Sequence, residues 1–414
     1  MLFKDLKERE GFQINLIKET LSCCKNTEIY KNKDLLHSIT TKEDLSSIPF
    51  TTKEDLRKHY PFGTLATDFE NIIETHMSSG STGKPTLSFY TAKDLERSST
   101  ALAQSWANFG ITSSSRVQFC MSYGLYTGAA LNTLAIQHLG AFVLPAGIQS
   151  TSKQVSLLQD FQIDTMVATP SYYLHFIDYL KLNNIDRNSL NLRVCIVAGE
   201  VYSLEIKAQI KKELGVEVYD HYGLCEVNTG IIYECKECGQ MAVLDDHVYA
   251  EVLDINNQRP VAEREEGELV LTSLEKEATP ILRYRTGDVV TFVSNFSRCR
   301  NCFGNTLVSR IKSKVGNTIF YKGIKVEPNE LRDMIFVFAG GKIFNRIKFI
   351  IPQDLFKDPI KVLLASRMED SSDLIKEIET FVKEKTKVTV SAEIVPYSYF
   401  EDFTSTKEKI VQYA

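Results

Sequence analysis

Between Glu70 and about Val290, short apolar runs of strand length take turns with segments of helical length: Val117–Met121, Ala129–Leu139, Phe142–Pro145, Val155–Phe161 and Asp164–Ala168 in succession. A helix between two strands lets the second lie parallel to the first, so this alternation predicts a doubly wound α/β sheet. The stretch before it, to about Tyr60, reads as helices and turns. Phe12, Ile14, Ile17 and Leu21 give it an imperfect helical stripe, which Ile48-Pro49-Phe50-Thr51-Thr52-Lys53 breaks, so it is expected to cap a larger body. The tail has its own pattern. A strand at Ile319–Tyr321 leads to a helix entered at Glu327-Pro328-Asn329-Glu330 and stopped at Gly340-Gly341. Strands Ile347–Ile351 and Ile360–Ala365 follow, then a helix from the Ser371-Ser372-Asp373 cap to near Lys387, then strand Val388–Val395. The expectation is a large α/β domain over 1–315 and a small α+β domain over 316–414 with its own core.

The 414 residues suffice for a large domain with an appendage, and a 43% hydrophobic, 24% charged composition excludes disordered and fibrous classes. With 48 Lys plus Arg against 53 Asp plus Glu, the formal charge of −5 gives no general attraction to phosphate backbones or anionic lipid. Neither nucleic acid nor a membrane is therefore expected as a partner. Acidic residues interrupt the start before any apolar run of signal-peptide length, and no later stretch reaches the roughly 18 apolar residues of a membrane helix. A cytoplasmic protein is expected. Nine cysteines is an odd number, and in a reducing compartment the two close pairs among them point to metal rather than disulfides.

Those pairs are Cys235-x-x-Cys238 and Cys299-x-x-Cys302, each spaced so that both sulfurs can reach one ion, as tetrahedral zinc requires. Four thiolates leave no open coordination position, so the expected Zn²⁺ is structural. A second signal is Ser78-Ser79-Gly80-Ser81-Thr82-Gly83-Lys84-Pro85-Thr86, between the run Ile72–Met77 and the strand-like Leu87–Tyr90. Small residues let backbone N–H groups approach a phosphate, while hydroxyls and the Lys84 ammonium add donors. It is not a Walker A loop, which would need Gly where Ser78 stands and Ser or Thr where Pro85 stands.

Together with Ile48–Leu56, Tyr60-Pro61-Phe62-Gly63, Tyr123–Gly128, His138–Ala141, Thr169–Tyr172, Tyr222-Gly223-Leu224-Cys225-Glu226 and Arg283–Asp288, this loop resembles the signature of the phenylacetate-CoA ligase family, in the adenylate-forming (ANL) superfamily. The resemblance extends over nearly the whole chain. It implies an ANL-type adenylation domain with a small mobile C-terminal domain. It also implies a two-step reaction in which ATP and a small carboxylic acid give an acyl adenylate, from which coenzyme A then displaces AMP. By their match to family motifs, Ser78–Gly83 and Lys84 would bind phosphates and Glu226 would hold Mg²⁺. Asp220, Tyr222, Gly223 and Cys225 would surround the adenine side, with Gly199 and Glu200 also on the nucleotide. Asp288 would take the ribose hydroxyls, for which a two-oxygen acceptor is suited. Tyr123, Tyr126 and Ala198 would line an aryl-acid slot.

The chain also departs from the family pattern. Ala198-Gly199-Glu200-Val201 stands where Gly-Ala-Glu-Pro is usual, and Cys225 where Ser or Thr precedes the metal-binding Glu. Lys314 replaces an Arg, Gly316 replaces the Asp about which the small domain rotates, and Ala242 occupies the place of a His that Cys238 could replace as a metal ligand. In Ser405-Thr406-Lys407-Glu408-Lys409 the resemblance makes Lys409 the adenylation lysine, with Lys407 its rival. An aryl-acid CoA ligase is the first reading. A family member with a non-CoA acceptor or nucleotidyl transfer only, as in deazaflavin-coenzyme adenylylating enzymes, and a non-catalytic zinc-stabilised paralogue are the alternatives. The assembly, monomer or homodimer, is left open.

Overall fold

The computed structural model describes residues 3–31, 33, 39–78, 84–315, 319–368, 371–400 and 410–413. The chain divides into two compact units, 1–147 with 219–311 and 148–218 with 312–414. Segment 148–218, expected with the large domain, thus clusters with the tail. Gly316, the expected hinge, lies outside the described residues.

In the first unit the strands run in the order Val248–Leu253, Glu266–Ser273, Tyr284–Ser294, Leu307–Val308, Met241–Val243, Asn228–Glu234, Glu217–Leu224, and their pairings are antiparallel. Arg116–Phe119 and Phe142–Leu144 pair in parallel, joined through helix Thr127–His138. In the second unit Thr165–Ala168 and Val194–Val197 also pair in parallel, with helix Pro170–Leu182 between them. The doubly wound expectation therefore holds for these strand–helix–strand segments and fails from Glu217 onward. The three residues 225–227 and the six residues 235–240 are too short for the crossover of a dozen or more residues that parallel pairing needs, so the chain turns back on itself there.

Helix Leu6–Cys24 buries Leu16, Ile17 and Leu21 in a cluster with Ile231, Leu269, Leu271 and Ile281. Its inward face differs from the expected apolar stripe. Phe12 and Ile14 are only partly buried, whereas Arg9 and Gln13 are buried. The Arg9 guanidinium donates to Asp245 at 3.1 Å and to the Gly304 carbonyl at 2.7 Å, and the Gln13 amide donates to the Asp245 carbonyl at 2.8 Å. Breaking such a buried pair from one side costs about 3–5 kcal/mol, so this helix is locked on polar as well as apolar contacts.

The tail elements lie close to where local signals put them. Helix Pro328–Ala339 starts on its proline and stops at left-handed Gly340, and helix Ser372–Thr386 stops at left-handed Lys387. Strands Val390–Ile394, Ile360–Ser366, Ile343–Ile351 and Val411–Tyr413 form one sheet in that order. Within the same unit the sheet is fastened to helix Pro170–Leu182 through Asp178, which accepts from the Asn345 backbone and side-chain amides at 3.0 Å each and pairs with Arg367. Among the described residues no helix is long and apolar enough to cross a membrane.

Candidate active site

The hairpin Glu74–Met77/Leu87–Tyr90 carries the predicted phosphate loop at its tip. Its neck is closed twice: Ser78 N–H donates to the Thr86 carbonyl at 3.0 Å, and Thr86 N–H donates to Ser78 Oγ at 3.0 Å. Ser79–Gly83 lie outside the described residues. Lys84 is exposed, with its ammonium 5.6 Å from the centre of the Tyr60 ring. Met77 N–H donates to the Leu125 carbonyl at 2.8 Å, which ties the loop's entry to the Tyr123–Tyr126 segment.

Across from this neck stands Glu226, just past strand Glu217–Leu224. It is 5% exposed, its Oε1 accepts from Thr86 Oγ1 at 2.9 Å, and the Lys53 ammonium lies 3.7 Å away. That strand needs glycine at 223, because a Cβ there would lie 2.2 Å from the Gly230 nitrogen of the neighbouring strand. Cys225 keeps its proton: burial, reinforced by the adjacent Glu226 charge, pushes its thiol up to about 12. Tyr222 donates its hydroxyl to Asp288 Oδ2 at 2.7 Å, and Asp288 is 2% exposed. Burial, with the Asp288 charge beside it, holds the Tyr222 phenol well above its ordinary value, so the carboxylate is the acceptor at neutral pH. Asp220 forms a two-point ion pair with Arg310, at 3.0 and 3.1 Å.

The structure thus gathers Ser78, Thr86 and Glu226 in one corner of the first unit and links Tyr222 to Asp288. Tyr123 is half-buried beside Phe119, with its hydroxyl 2.7 Å from Thr133 Oγ1, while Tyr126 is 39% exposed. Ala198, Gly199, Glu200 and Lys314 belong to the second unit. Glu200 accepts from the Ser171 backbone and hydroxyl at 3.1 and 2.9 Å, capping the start of helix Pro170–Leu182. Ala198 and Gly199 precede it at the end of strand Val194–Val197, and Lys314 is exposed in Ser313–Lys314. Lys407 and Lys409 lie outside the described residues.

The two cysteine pairs meet because strand Met241–Val243 pairs with Leu307–Val308, so the turns preceding each lie side by side. Cys235 and Cys299 sulfurs are 3.6 Å apart, Cys238 and Cys302 3.7 Å, and all four lie within 4.8 Å of one another. Tetrahedral zinc with bonds of about 2.3 Å sets its sulfurs about 3.8 Å apart, so the spacing fits that ion. Ala242 is wholly buried and offers no ligand in place of a His.

Three charged residues of the site escaped sequence reasoning: Lys53 beside Glu226, Arg310 on Asp220, and Lys276. The last is 7% exposed and donates to the Val227 carbonyl at 3.2 Å and to Ser88 Oγ. Burial pulls its ammonium down to about 8, against the opposing pull of Asp94, Cys225 and Glu226. Its flanking Glu275 and Glu277 give it the look of a solvated charge run, and no sequence signal separates it from one.

The AMP-binding enzyme family matches residues 26–274 of this chain. A phenylacetate-coenzyme A ligase of Escherichia coli (strain K12) is 34% identical over 340 residues, which are 80% of this chain and 77% of that protein. One of Pseudomonas putida is 34% identical over 299 residues, 72% of this chain and 67% of that protein. Among solved structures, 2-hydroxyisobutyryl-CoA ligase in the postadenylation state is similar with a TM-score of 0.89, covering 100% of this chain and 91% of that one at 19% identity. An anthranilate CoA ligase in complex with anthranoyl-AMP is similar with a TM-score of 0.62, covering 83% and 66% at 20% identity. At these identities the likeness of the solved structures is one of fold.

Proposed function

Because the chain belongs to the phenylacetate-CoA ligase family of AMP-binding enzymes, we propose that it activates an aryl or related carboxylic acid as its acyl adenylate and passes the acyl group to coenzyme A. In the first half-reaction a carboxylate oxygen attacks the α-phosphorus of ATP; the new P–O bond forms as the bond to pyrophosphate breaks. In the second the thiol sulfur attacks the acyl carbon, the C–O bond to AMP breaks, and the thiol proton is lost. The observation that carries this reading is the Thr86–Glu226 bond, which sets a buried carboxylate against the neck of the phosphate loop.

The first half-reaction brings two anions together, so the site must neutralise charge. Lys84 and the loop amides would meet the phosphates. Glu226 would hold Mg²⁺, a hard cation suited to carboxylate oxygen, whose charge would offset that of the phosphates when bound. Asp288, whose Oδ2 accepts from Tyr222, would take the ribose hydroxyls, and the Tyr222 ring would lie against the adenine. Asp220 would face the adenine amino group while Arg310 fixes its orientation. Tyr123, held by Thr133 and the edge of Phe119, supports an aromatic slot, with Tyr126 and Ala198 as further lining. Lys409 would complete the adenylation site, and the C-terminal domain would move between half-reactions about Gly316, with Lys314 beside it.

The four-cysteine cluster would hold one structural Zn²⁺. Cys235 is drawn below its ordinary value chiefly by a hydrogen bond from Cys302, helped by the backbone N–H groups of Cys238 and Glu237. Four sulfurs complete the coordination, so this metal would take no part in the acyl chemistry. Reduced thiols of this kind fit a cytoplasmic setting.

A screen of aryl acids, phenylacetate among them, for carboxylate-dependent ATP–pyrophosphate exchange tests the reading without an acceptor. Exchange with an aryl acid, followed by its CoA thioester when coenzyme A is added, is the expected result. Exchange without thioester would move the acceptor away from coenzyme A, and a folded protein inert with every acid would remove the adenylation assignment.

A further inference from the structure

Lys276 lies in none of the segments read as touching substrate, yet its ammonium meets residues just beyond two of them. It follows strand Glu266–Ser273 in a turn that Asp94 fixes by accepting from the Glu277 and Ala278 N–H groups at 2.8 and 3.0 Å. From there the side chain runs inward, and the ammonium sits 4.4 Å from the centre of the Tyr90 ring. A buried ammonium is costly unless its donors are used. Here one goes to the carbonyl of Val227, the residue after Glu226, and one to the hydroxyl of Ser88, two residues beyond Thr86. Thr86 in turn donates to Glu226 Oε1. The same ammonium therefore braces both sides of the Thr86–Glu226 contact: the turn that bears the carboxylate and the strand that leaves the phosphate loop.

We propose that Lys276 is a positioning residue for Glu226, holding the Val227 carbonyl to the Ser88–Tyr90 strand so that the carboxylate meets a nucleotide-bound divalent cation in a fixed place. The proposal rests on the reading of Glu226 as the Mg²⁺ ligand. Lys276 itself touches neither nucleotide nor cation. Its contribution is to keep a carboxylate from adjusting its distance each time the cation arrives, as groups behind metal ligands do.

The measurement is the affinity for ATP with and without Mg²⁺, by calorimetry on the full chain, in Mg²⁺-free buffer that contains no chelator so that the cysteine cluster is undisturbed. In Lys276→Met, the tightening that Mg²⁺ gives to ATP binding is expected to fall about tenfold, the low end of what loss of a group supporting a metal ligand costs. The Mg²⁺-free affinity should stay near wild type. A folded Lys276→Met protein with the full Mg²⁺ effect would overturn the proposal, even if its melting temperature fell, since that is what a plain structural brace would give. Should Lys276→Met fail to fold, Ser88→Ala, which removes one anchor of the ammonium, must show a smaller loss of the Mg²⁺ effect, and an unchanged effect there overturns the proposal equally. Glu226→Gln separates the two readings. If it leaves the Mg²⁺ effect intact, the ligand assignment of Glu226 is wrong; if it abolishes the effect while Lys276→Met does not, only the role of Lys276 is lost.

Discussion

The two units treat the residues proposed for the site in opposite ways. In the first, the carboxylates are buried and already committed: Glu226 to Thr86, Asp288 to Tyr222, Asp220 to Arg310. In the second, Lys314 and Gly199 are exposed, and the Glu200 carboxylate caps its own neighbouring helix. Groups that must hold a nucleotide through both half-reactions gain from being fixed before it arrives, because no reorganisation is then needed at the moment of reaction. A group used in one half-reaction only has to be delivered. On the proposed reading the first unit is the fixed template and the tail the delivered part.

The largest effect that could break this contrast is at the tail. Lys409→Ala is expected to slow adenylate formation by about 100- to 1000-fold, the loss of one preorganised charge at a transition state, while thioester formation from supplied acyl adenylate stays near wild type. The melting temperature should not move. If Lys407→Ala shows that selective loss instead and Lys409→Ala does not, the role passes to Lys407. A chelator should do the reverse. Elemental analysis is expected to give about one zinc per chain, and its removal should unfold the first unit, where the cluster joins two turns, so both half-reactions fail together. Protein that stays folded after zinc is stripped would show that the hydrophobic cluster under helix Leu6–Cys24 needs no metal.

What the sequence made legible was what it encodes locally. Pro328 and Gly340 bound a helix, and the spacing within each cysteine pair matches the meeting of their four sulfurs in one cluster. The direction of strand pairing beyond Glu217 was not legible, because period-two patterning says which face is buried and not which neighbour the strand will meet. Nor were the polar braces. Arg9 sits in a helix whose stripe predicts apolar neighbours, and its partner Asp245 is 236 residues away. Arg310 and Asp220 are 90 residues apart. In each case the charge is explained only by a partner that folding brings to it.

The smallest expected effect compares two buried histidines, one in each unit. His221 in the first unit and His175 in the second are both pulled down to about 4, chiefly by burial, with Arg346 adding to the effect at His175. His175 lies 2.7 Å from the Tyr397 hydroxyl and 2.8 Å from Thr151 Oγ1, so it joins helix Pro170–Leu182 to the tail as a neutral ring. A folded value of about 4 against an ordinary 6.5 means that between these pH values the unfolded chain binds more protons. Stability from the neutral ring is therefore complete above pH 6.5 and drains away as pH falls toward 4, by at most about 3 kcal/mol per histidine at 1.36 kcal/mol per pH unit. His175→Gln keeps an amide where the ring nitrogen met Thr151 and cannot titrate. Calorimetry between pH 7 and 4 should show the melting temperature of this variant falling less steeply than wild type, with the His221 contribution left in place. Equal slopes would mean that His175 is protonated without cost, and that its contact with Tyr397 does not depend on the charge of the ring.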